Sequence, residues 1–284
     1  MVPKMDKKNN RTFEFSPGIE INFEVCGNGN QPMLLLHGFG ASLESWRDIQ
    51  PWLEKHFRLY LVDLKGFGLS SKPKGGLYSL EDQVDVVVSF IESLNFDRLI
   101  LIGHSYGGAI ALLTYFKLDE RSCAERISSL VLIDAAGYLQ KLPFFISILQ
   151  TPLVNRIVLN CLPAKWRAKF TLRRVFHDPC KVTDQIVDRY ARFLDLPGSH
   201  NALIETAKLV IPDDPASVIQ RIREIRAQTL IIWGQNDPAI PLEHAYRFRE
   251  DISTSTLEVI PECGHIPHEE KPSETGQVVL SFLE

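Results

Sequence analysis

The sequence is poor in cysteine, and its few cysteines follow no pattern of bridges or metal ligands. The 284 residues include five cysteines, an odd number, and no two of them are spaced as Cys-x-x-Cys. A disulfide framework needs pairs, and a zinc ribbon or finger needs closely spaced thiolates. We therefore expect no disulfides, no metal site and a reducing compartment, the cytoplasm. The cysteines are Cys26, Cys123, Cys161, Cys180 and Cys263.

Excess basic charge, long apolar runs and nucleotide-binding motifs are missing as well. The formal net charge of −4 leaves no basic footprint for nucleic acid. The most apolar stretch, residues 143–162, contains Pro152, Asn155 and Arg156, which a membrane span does not tolerate. The first ten residues are polar, unlike a signal peptide. No G-x-G-x-x-G follows the first strand and no G-K-[ST] occurs, so we expect no cofactor. The expected partner is a small-molecule substrate, and the protein is expected to be a soluble monomer or homodimer.

One ten-residue stretch carries the strongest functional signal. Residues 99–108 read Leu-Ile-Leu-Ile-Gly-His-Ser-Tyr-Gly-Gly, a buried-strand run that leads into a G-x-S-x-G pentapeptide, and a helix-forming composition follows. Strand, sharp turn and helix are the context of a nucleophile elbow. Gly103 and Gly107 lack the side chains that would clash in so tight a turn. The pattern predicts that Ser105 is a catalytic nucleophile.

Short apolar runs alternate with helical patterns along most of the chain. Ser79-Leu80-Glu81-Asp82 resembles a capping box at the start of a helix, and Trp46, Ile49, Trp52 and Leu53 recur at helical spacing. The alternation predicts an α/β fold with a doubly wound, mostly parallel sheet and an active site at the carboxyl ends of its strands. The expected strands are residues 19–25, 33–36, 59–62, 99–102, 130–133, 230–233 and, more weakly, 257–260.

The alternation stops between Tyr138 and Pro215. This segment has amphipathic helical stretches and several prolines but no convincing strand, and core strands flank it on both sides. An insertion of this size between core strands favours a cap over a second independent domain. We predict a core of residues 1–137 and 216–284 and an all-helical cap of residues 138–215 over the active-site edge. The expected cap helices are residues 153–161, 165–176, 184–193 and 203–210.

The remaining catalytic groups are predicted from their order along the chain. A serine hydroxyl needs a base to remove its proton, and the base needs an acid to orient it. After a nucleophile elbow the order is serine, acid, histidine. His265 follows the last strand in a loop with Gly264 and is the expected base, with His268 as its rival. Asp237 follows the strand 230–233 and is the expected acid; Asp134, at another strand end, is the alternative acid or a carboxylate that caps a loop.

An oxyanion hole requires two backbone N–H donors close to the nucleophile. The residue after the nucleophile, Tyr106, should supply one of them. The other should come from the loop His37-Gly38-Phe39-Gly40, which follows an earlier strand and whose glycines let the backbone approach a substrate. We expect Phe39 N–H to be this second donor.

These motifs together resemble the α/β-hydrolase fold family, and most closely its capped branch of carboxylesterases, enol-lactonases and meta-cleavage-product hydrolases. The resemblance covers the core and implies a triad of Ser105, Asp237 and His265 with Phe39 and Tyr106 as oxyanion donors. Epoxide hydrolases and haloalkane dehalogenases of the same branch have aspartate at the elbow, where this chain has serine. The sequence motifs that resemble the α/β-hydrolase fold family are residues 37–40, 63–71, 103–108, 234–241 and 264–269.

The expected reaction is hydrolysis of an ester-type bond in a small, largely apolar substrate through a covalent acyl-enzyme. One alternative is a carbon–carbon bond hydrolase with the same triad, which needs a cationic cap residue for the carboxylate of a dienoate substrate. A second alternative is a receptor or regulator without enzymatic activity, built on the same fold. The candidate cations are Arg156, Arg167, Arg173 and Arg174.

Overall fold

The computed structural model describes residues 10–75 and 77–283, which form a single eight-stranded sheet covered by helices. The strands are β1 (Asn10–Ser16), β2 (Ile19–Cys26), β3 (Pro32–Leu36), β4 (Arg58–Val62), β5 (Leu99–His104), β6 (Ile127–Ile133), β7 (Gln228–Gly234) and β8 (Ser255–Ile260). Along the sheet they follow the order β1-β2-β4-β3-β5-β6-β7-β8.

The sheet is parallel from β4 to β8, and β1 and β2 form an antiparallel edge. The side chains of β5 are all buried, as expected for a parallel strand with helices on both faces. The predicted fold class, a mostly parallel α/β sheet of the α/β-hydrolase type, is confirmed. Strand β1 is not among the strands predicted from the sequence. It pairs with β2 at the sheet edge, so that Phe13 lies opposite Ile21.

Twelve α-helices flank or cap the sheet in the described part of the chain. The predicted capping box is present, since the Ser79 and Asp82 side chains each accept a hydrogen bond from the other residue's backbone N–H. The helices are α1 (Gln50–Leu53), α2 (Leu80–Leu94), α3 (Tyr106–Glu120), α4 (Phe144–Gln150), α5 (Val154–Cys161), α6 (Ala164–Val175), α7 (Asp184–Leu194), α8 (Ser199–Lys208), α9 (Pro215–Arg221), α10 (Glu243–Asp251), α11 (Pro267–Glu270) and α12 (Pro272–Leu283).

The apolar residues that recur at helical spacing between Trp46 and Leu53 do not lie on one continuous helix. The structure has a short 3₁₀ helix, Leu43–Trp46, and then the single turn of α1. Pro51 lies in the first turn of α1, and a proline carries no backbone N–H with which to continue a preceding helix. The buried residues Trp46 and Leu53 therefore lie on two separate short helices, the 3₁₀ helix and α1, and face the protein interior from both.

The stretch between β6 and β7, which is described throughout, contains no strand and holds α4 to α9. Helix α8 starts four residues before the predicted helix at 203, directly after Gly198, whose φ is +87°. Helices α6 and α7 form a small apolar core of their own, in which Leu172, Val175 and Ile186 pack with Ile266 of the core. No single described helix is long and apolar enough to cross a membrane; α4 and α5 meet that length and apolarity only as a pair, which is bent by 105°.

Candidate active site

Ser105 lies in a strained turn between β5 and α3. Its backbone has φ +52° and ψ −114°, a region that non-glycine residues rarely adopt. The neighbouring glycines explain how the turn is accommodated. A Cβ on Gly103 would lie 2.4 Å from the Gly107 carbonyl oxygen, and one on Gly107 would lie 2.2 Å from the Leu36 carbonyl oxygen. The two glycines of the G-x-S-x-G motif are thus required by close backbone packing.

A chain of hydrogen bonds joins Ser105, His265 and Asp237. His265 Nε2 lies 2.9 Å from Ser105 Oγ, and His265 Nδ1 lies 2.7 Å from Asp237 Oδ2. The other carboxylate oxygen of Asp237 accepts hydrogen bonds from the backbone N–H groups of Ala239 and Ile240, at 2.7 and 3.0 Å. With Nδ1 donating to the carboxylate, Nε2 is free to accept the serine proton. The structure thus brings together the three side chains predicted as a triad.

Asp134 lies beside these three residues, but His265 hydrogen-bonds to Asp237 and not to Asp134. It is fully buried and accepts a hydrogen bond from Gly234 N–H at 3.0 Å. One carboxylate oxygen each of Asp134 and Asp237 and a ring nitrogen of His265 lie within 4.8 Å of one another. Burial, and secondly the charge of Asp237, hold the pKa of Asp134 well above its ordinary value. Burial therefore favours the protonated form of Asp134, which is a poor ligand for a cation, and Asp237 and His265 are hydrogen-bonded to each other. This group of three therefore does not fit a metal site.

The rival base, His268, makes no hydrogen bond to Ser105. Its ring stacks on Trp46 at 4.4 Å between centroids, and neither ring nitrogen has a partner among the described residues. Burial, followed by the nearby His265, lowers the pKa of His268 to about 3. His268 is therefore a neutral core side chain and takes no part in the Ser105–His265–Asp237 hydrogen-bond chain.

His104 and Glu270, which were not predicted as site residues from the sequence, hold the His265 loop in place. Burial keeps the pKa of His104 well below its ordinary value, and the neutral ring lies 2.8 Å through Nε2 from the His265 carbonyl oxygen. The Glu270 carboxylate accepts hydrogen bonds from Gly264 N–H at 2.7 Å and from His177 and Asp178 N–H at 3.1 and 2.8 Å. Glu270 thus ties the histidine loop to the segment that follows α6. Only the tertiary structure reveals these contacts, because the partners are far apart in sequence.

The two expected oxyanion donors flank Ser105. Tyr106 is the first residue of α3, and its N–H points out of the helix start, where the dipole is positive. A Cβ on Gly38 would lie 3.4 Å from Ser105 Cβ, which shows how closely the loop that carries Phe39 approaches the serine. In the described part of the chain neither the Phe39 nor the Tyr106 N–H has a hydrogen-bond partner. Both are therefore available to a substrate oxygen.

Two apolar cavities meet at Ser105. The larger has a volume of about 360 Å³ and extends from His265 under helices α4, α5 and α6. The smaller, of about 110 Å³, extends toward α9 and the loop after β7. Phe39, Ser105 and Phe145 line both of them. A substrate bound here would therefore place its reacting carbon at the serine and one apolar part in each cavity.

None of the four candidate arginines presents a free charge to the cavities. Arg167 alone among them lines the larger cavity, but it is ion-paired with Asp195 and donates to the Leu162 carbonyl oxygen at 3.0 Å. Arg156, Arg173 and Arg174 are exposed. The guanidinium of Arg174 covers the outer side of Phe170, 4.4 Å from the ring centroid.

The architecture and the catalytic geometry agree with a comparison of the sequence with family models. Residues 31–272 match the family described as the alpha/beta hydrolase fold. The chain belongs to the α/β-hydrolase fold family. Within that family, this α/β hydrolase is 30% identical to a 2-hydroxy-6-oxo-2,4-heptadienoate hydrolase of Pseudomonas putida, over 94% of this chain and 93% of the relative.

Two further comparisons point in the same direction. The α/β hydrolase is 28% identical to a 2-hydroxy-6-oxo-6-(2'-aminophenyl)hexa-2,4-dienoic acid hydrolase of Metapseudomonas resinovorans, over 94% of this chain and 88% of the relative. Its structure resembles a serine hydrolase involved in carbazole degradation, with a TM-score of 0.79, 26% identity and coverage of 96% and 98% of the two chains. The two named sequence relatives are hydrolases of 2-hydroxy-6-oxo dienoic acids, the substrate type of the alternative activity raised by the sequence.

Proposed function

We propose that this α/β hydrolase is a serine hydrolase that cleaves an ester-type bond in a small, uncharged and largely apolar substrate. The observation that carries the substrate class is the pair of apolar cavities that meet at Ser105, with their one lining arginine neutralised by Asp195. A substrate carboxylate that is buried here without a cationic partner weakens binding by several kcal/mol. This is roughly the free energy of binding that is gained when apolar substrate groups fill the cavity. An uncharged ester avoids that cost.

The proposed reaction follows from the hydrogen-bond chain. His265 Nε2 takes the proton of Ser105 Oγ as that oxygen attacks the substrate carbonyl carbon, and Asp237 holds the resulting imidazolium. The negative charge on the former carbonyl oxygen is stabilised by the N–H groups of Phe39 and Tyr106. His265 then gives its proton to the leaving alcohol. A water molecule then gives a proton to His265 and attacks the acyl carbon, and His265 returns that proton to the Ser105 oxygen as the acid leaves. The products are an acid and an alcohol.

The predicted division of the chain belongs to the same proposal. Residues 1–137 and 216–284 supply the catalytic core, and residues 138–215 act as a cap that roofs the substrate. Support comes from the cavity lining, since Phe145, Leu159 and Phe170 of the cap segment face the same space as Ser105. The bonds of Glu270 to His177 and Asp178 hold this roof to the catalytic loop. We also propose a cytoplasmic location, because all five cysteines are unpaired.

Carbon–carbon bond hydrolysis is the second candidate, and it is favoured by the names of the relatives. Such a substrate is a dienoate, and its carboxylate would have to be met by a cation in the cavity. Arg167 is the one candidate arginine that lines it, and Asp195 would first have to be displaced. The proposed esterase and this alternative therefore differ in a single measurable property, the preference for a neutral or an anionic substrate.

A substrate panel tests the proposal. We expect kcat/KM for p-nitrophenyl esters to rise about fourfold per methylene, since each buried methylene contributes ~0.8 kcal/mol, and to fall once the cavity is full. The Ser105→Ala variant is the control for background hydrolysis. A 2-hydroxy-6-oxo-2,4-dienoate assayed in parallel should react far more slowly than the best ester. If the dienoate is cleaved while esters of every length stay intact, the ester proposal is refuted and the second candidate replaces it.

A further inference from the structure

The first half of the cap segment has an unusual charge distribution. Residues 138–177 contain seven Lys and Arg residues and no Asp or Glu, in a chain whose net charge is −4. Three of the seven are paired with aspartates of the following segment, Lys165 with Asp188, Lys169 with Asp184 and Arg167 with Asp195. The other four, for which the described residues provide no carboxylate partner, are Lys141, Arg156, Arg173 and Arg174.

Large apolar side chains are exposed at α5 and α6, the two helices of this segment that also carry Arg156, Arg173 and Arg174. Leu153 and Ile157, one helical turn apart at α5, are 72% and 60% exposed, and Trp166 on α6 is 51% exposed. Val154 lies between the first two and is 40% exposed. Single exposed apolar residues are normal, but four of them within residues 153–166 mark a surface that contacts something apolar. We name Leu153, Val154, Ile157 and Trp166, with the neighbouring Arg156, Arg173 and Arg174, the cap face.

We propose that the cap face docks onto the surface of an anionic lipid bilayer. Exposed aliphatic side chains, a tryptophan and unpaired basic residues on consecutive helices are the combination that lies in a membrane interface. The aliphatic groups would enter the acyl boundary while the guanidinium groups meet lipid phosphates. The helices lie on such a surface and do not span it, because α4 and α5 are short and bent by 105° relative to each other.

Charge decides between this occupant and a second copy of the chain. A symmetric dimer through the cap face would bring Arg156, Arg173 and Arg174 of one protomer toward the same residues of its partner. No acidic residue occurs between 138 and 177 to relieve that repulsion. An anionic lipid surface offers the opposite charge over the whole face and accepts the apolar side chains as well.

The cap face also adjoins the larger cavity. Trp166 is half-exposed and lines this cavity, and its ring stacks on Phe170 at 5.1 Å between centroids. A docked protein would therefore have the cavity wall next to the membrane, where apolar esters accumulate. This link to a substrate rests on the proposed function, whereas the docking itself does not.

Vesicle flotation tests the docking without reference to catalysis. The purified full-length protein is mixed with vesicles of phosphatidylcholine alone or of equal parts phosphatidylcholine and phosphatidylglycerol. We expect at least about tenfold stronger partitioning into the anionic vesicles, and a decrease as salt is raised, because exposed charges are screened. Arg156→Glu should weaken partitioning by about fivefold or more, the factor that matches ~1 kcal/mol per basic residue at such a surface.

The apolar contribution is tested with the Leu153→Ser/Ile157→Ser double variant. Both side chains are exposed, so folding should be retained, and partitioning into anionic vesicles should fall at least about tenfold. Tyr246→Ser removes a side chain that is 51% exposed on α10 and is the matched control, with unchanged partitioning expected. Equal partitioning into both kinds of vesicle would overturn the proposal. So would a self-associated wild type that the double variant converts to monomer in sedimentation experiments.

Discussion

Replacement of Asp134 by asparagine is expected to leave activity nearly intact, although Asp134 lies next to the triad acid. Burial beside Asp237 raises the pKa of Asp134 and so favours its protonated form, and one oxygen of Asp134 accepts a hydrogen bond from Gly234 N–H. An asparagine offers the same acceptor and, through its amide, the same kind of donor. Asparagine also tolerates the left-handed backbone of this position, where φ is +42°. We expect kcat/KM within about threefold of wild type, a barrier change below ~0.7 kcal/mol.

Asp134→Ala should have a much larger effect. It leaves the buried Gly234 N–H without a partner, which costs ~1–3 kcal/mol, and it places an alanine in a left-handed conformation at a further ~1–2 kcal/mol. The free energy of unfolding should therefore fall by ~2–5 kcal/mol. Asp237 keeps its hydrogen bonds to Ala239, Ile240 and His265, so we expect kcat/KM to drop by only about tenfold.

The assay is kcat/KM as a function of pH, together with urea unfolding. Asp237→Asn is the reference variant and should lose about 10⁴-fold, because an amide cannot hold the imidazole in the required tautomer. A loss of more than a hundredfold in Asp134→Asn, or a displaced acidic limb of its pH profile, would show that Asp134 is ionised and acts on His265 itself. That result would contradict the inference that the folded protein favours the protonated form of Asp134.

Two further predictions concern the groups around Ser105. Ser105→Ala and His265→Ala should each lower kcat by about 10⁴-fold or more while the double variant is little worse, and multiplicative losses would contradict a shared mechanism. The pKa of His268 is about 3 in the folded protein and 6.5 in the unfolded chain. The contribution of the neutral ring to the free energy of unfolding is therefore fully present above pH 6.5 and is lost as the pH falls from 6.5 toward 3. At pH 5 this loss is ~2 kcal/mol, and His268→Phe should remove it from the difference between urea unfolding at pH 8 and at pH 5. An unchanged difference would refute the neutral His268.

The sequence predicted the parallel strands well because burial on both faces leaves a distinctive mark. Leu99–Ile102 and Leu130–Ile133 are continuous apolar runs, and both are strands of the sheet. The edge strand β1 was missed because it is covered less completely and resembles a polar loop. The break at Pro51 was missed because helical spacing does not reveal where backbone N–H groups are lacking.

The sequence placed both candidate acids at the active-site edge and favoured Asp237, but it left Asp134 open as the alternative. Asp134 follows β6 and Asp237 lies just beyond β7, and these strands are neighbours in the sheet, so both carboxyl groups reach the same place. The choice depends on the turn after Gly234, in which the N–H groups of Ala239 and Ile240 hold one oxygen of Asp237 and leave the other for His265. Such turn geometry is not encoded in residue type or spacing.

The charge of the cap cavity is the property that separates ester from dienoate substrates, and one substitution should change it. Asp195→Asn removes the carboxylate that neutralises Arg167. Because the Asp195 side chain is 51% exposed, the protein should remain folded, while the guanidinium of Arg167, only 7% exposed, is left without its counter-ion. A substrate carboxylate could then take the place of Asp195. We expect kcat/KM for an ester with a terminal carboxylate to rise at least about tenfold relative to its neutral analogue. Asp188→Asn, which releases Lys165 on the outer surface, is the matched control and should leave this ratio unchanged. If both variants have the wild-type ratio, then Arg167 does not face the substrate, and the apolar character of the cavity has another origin.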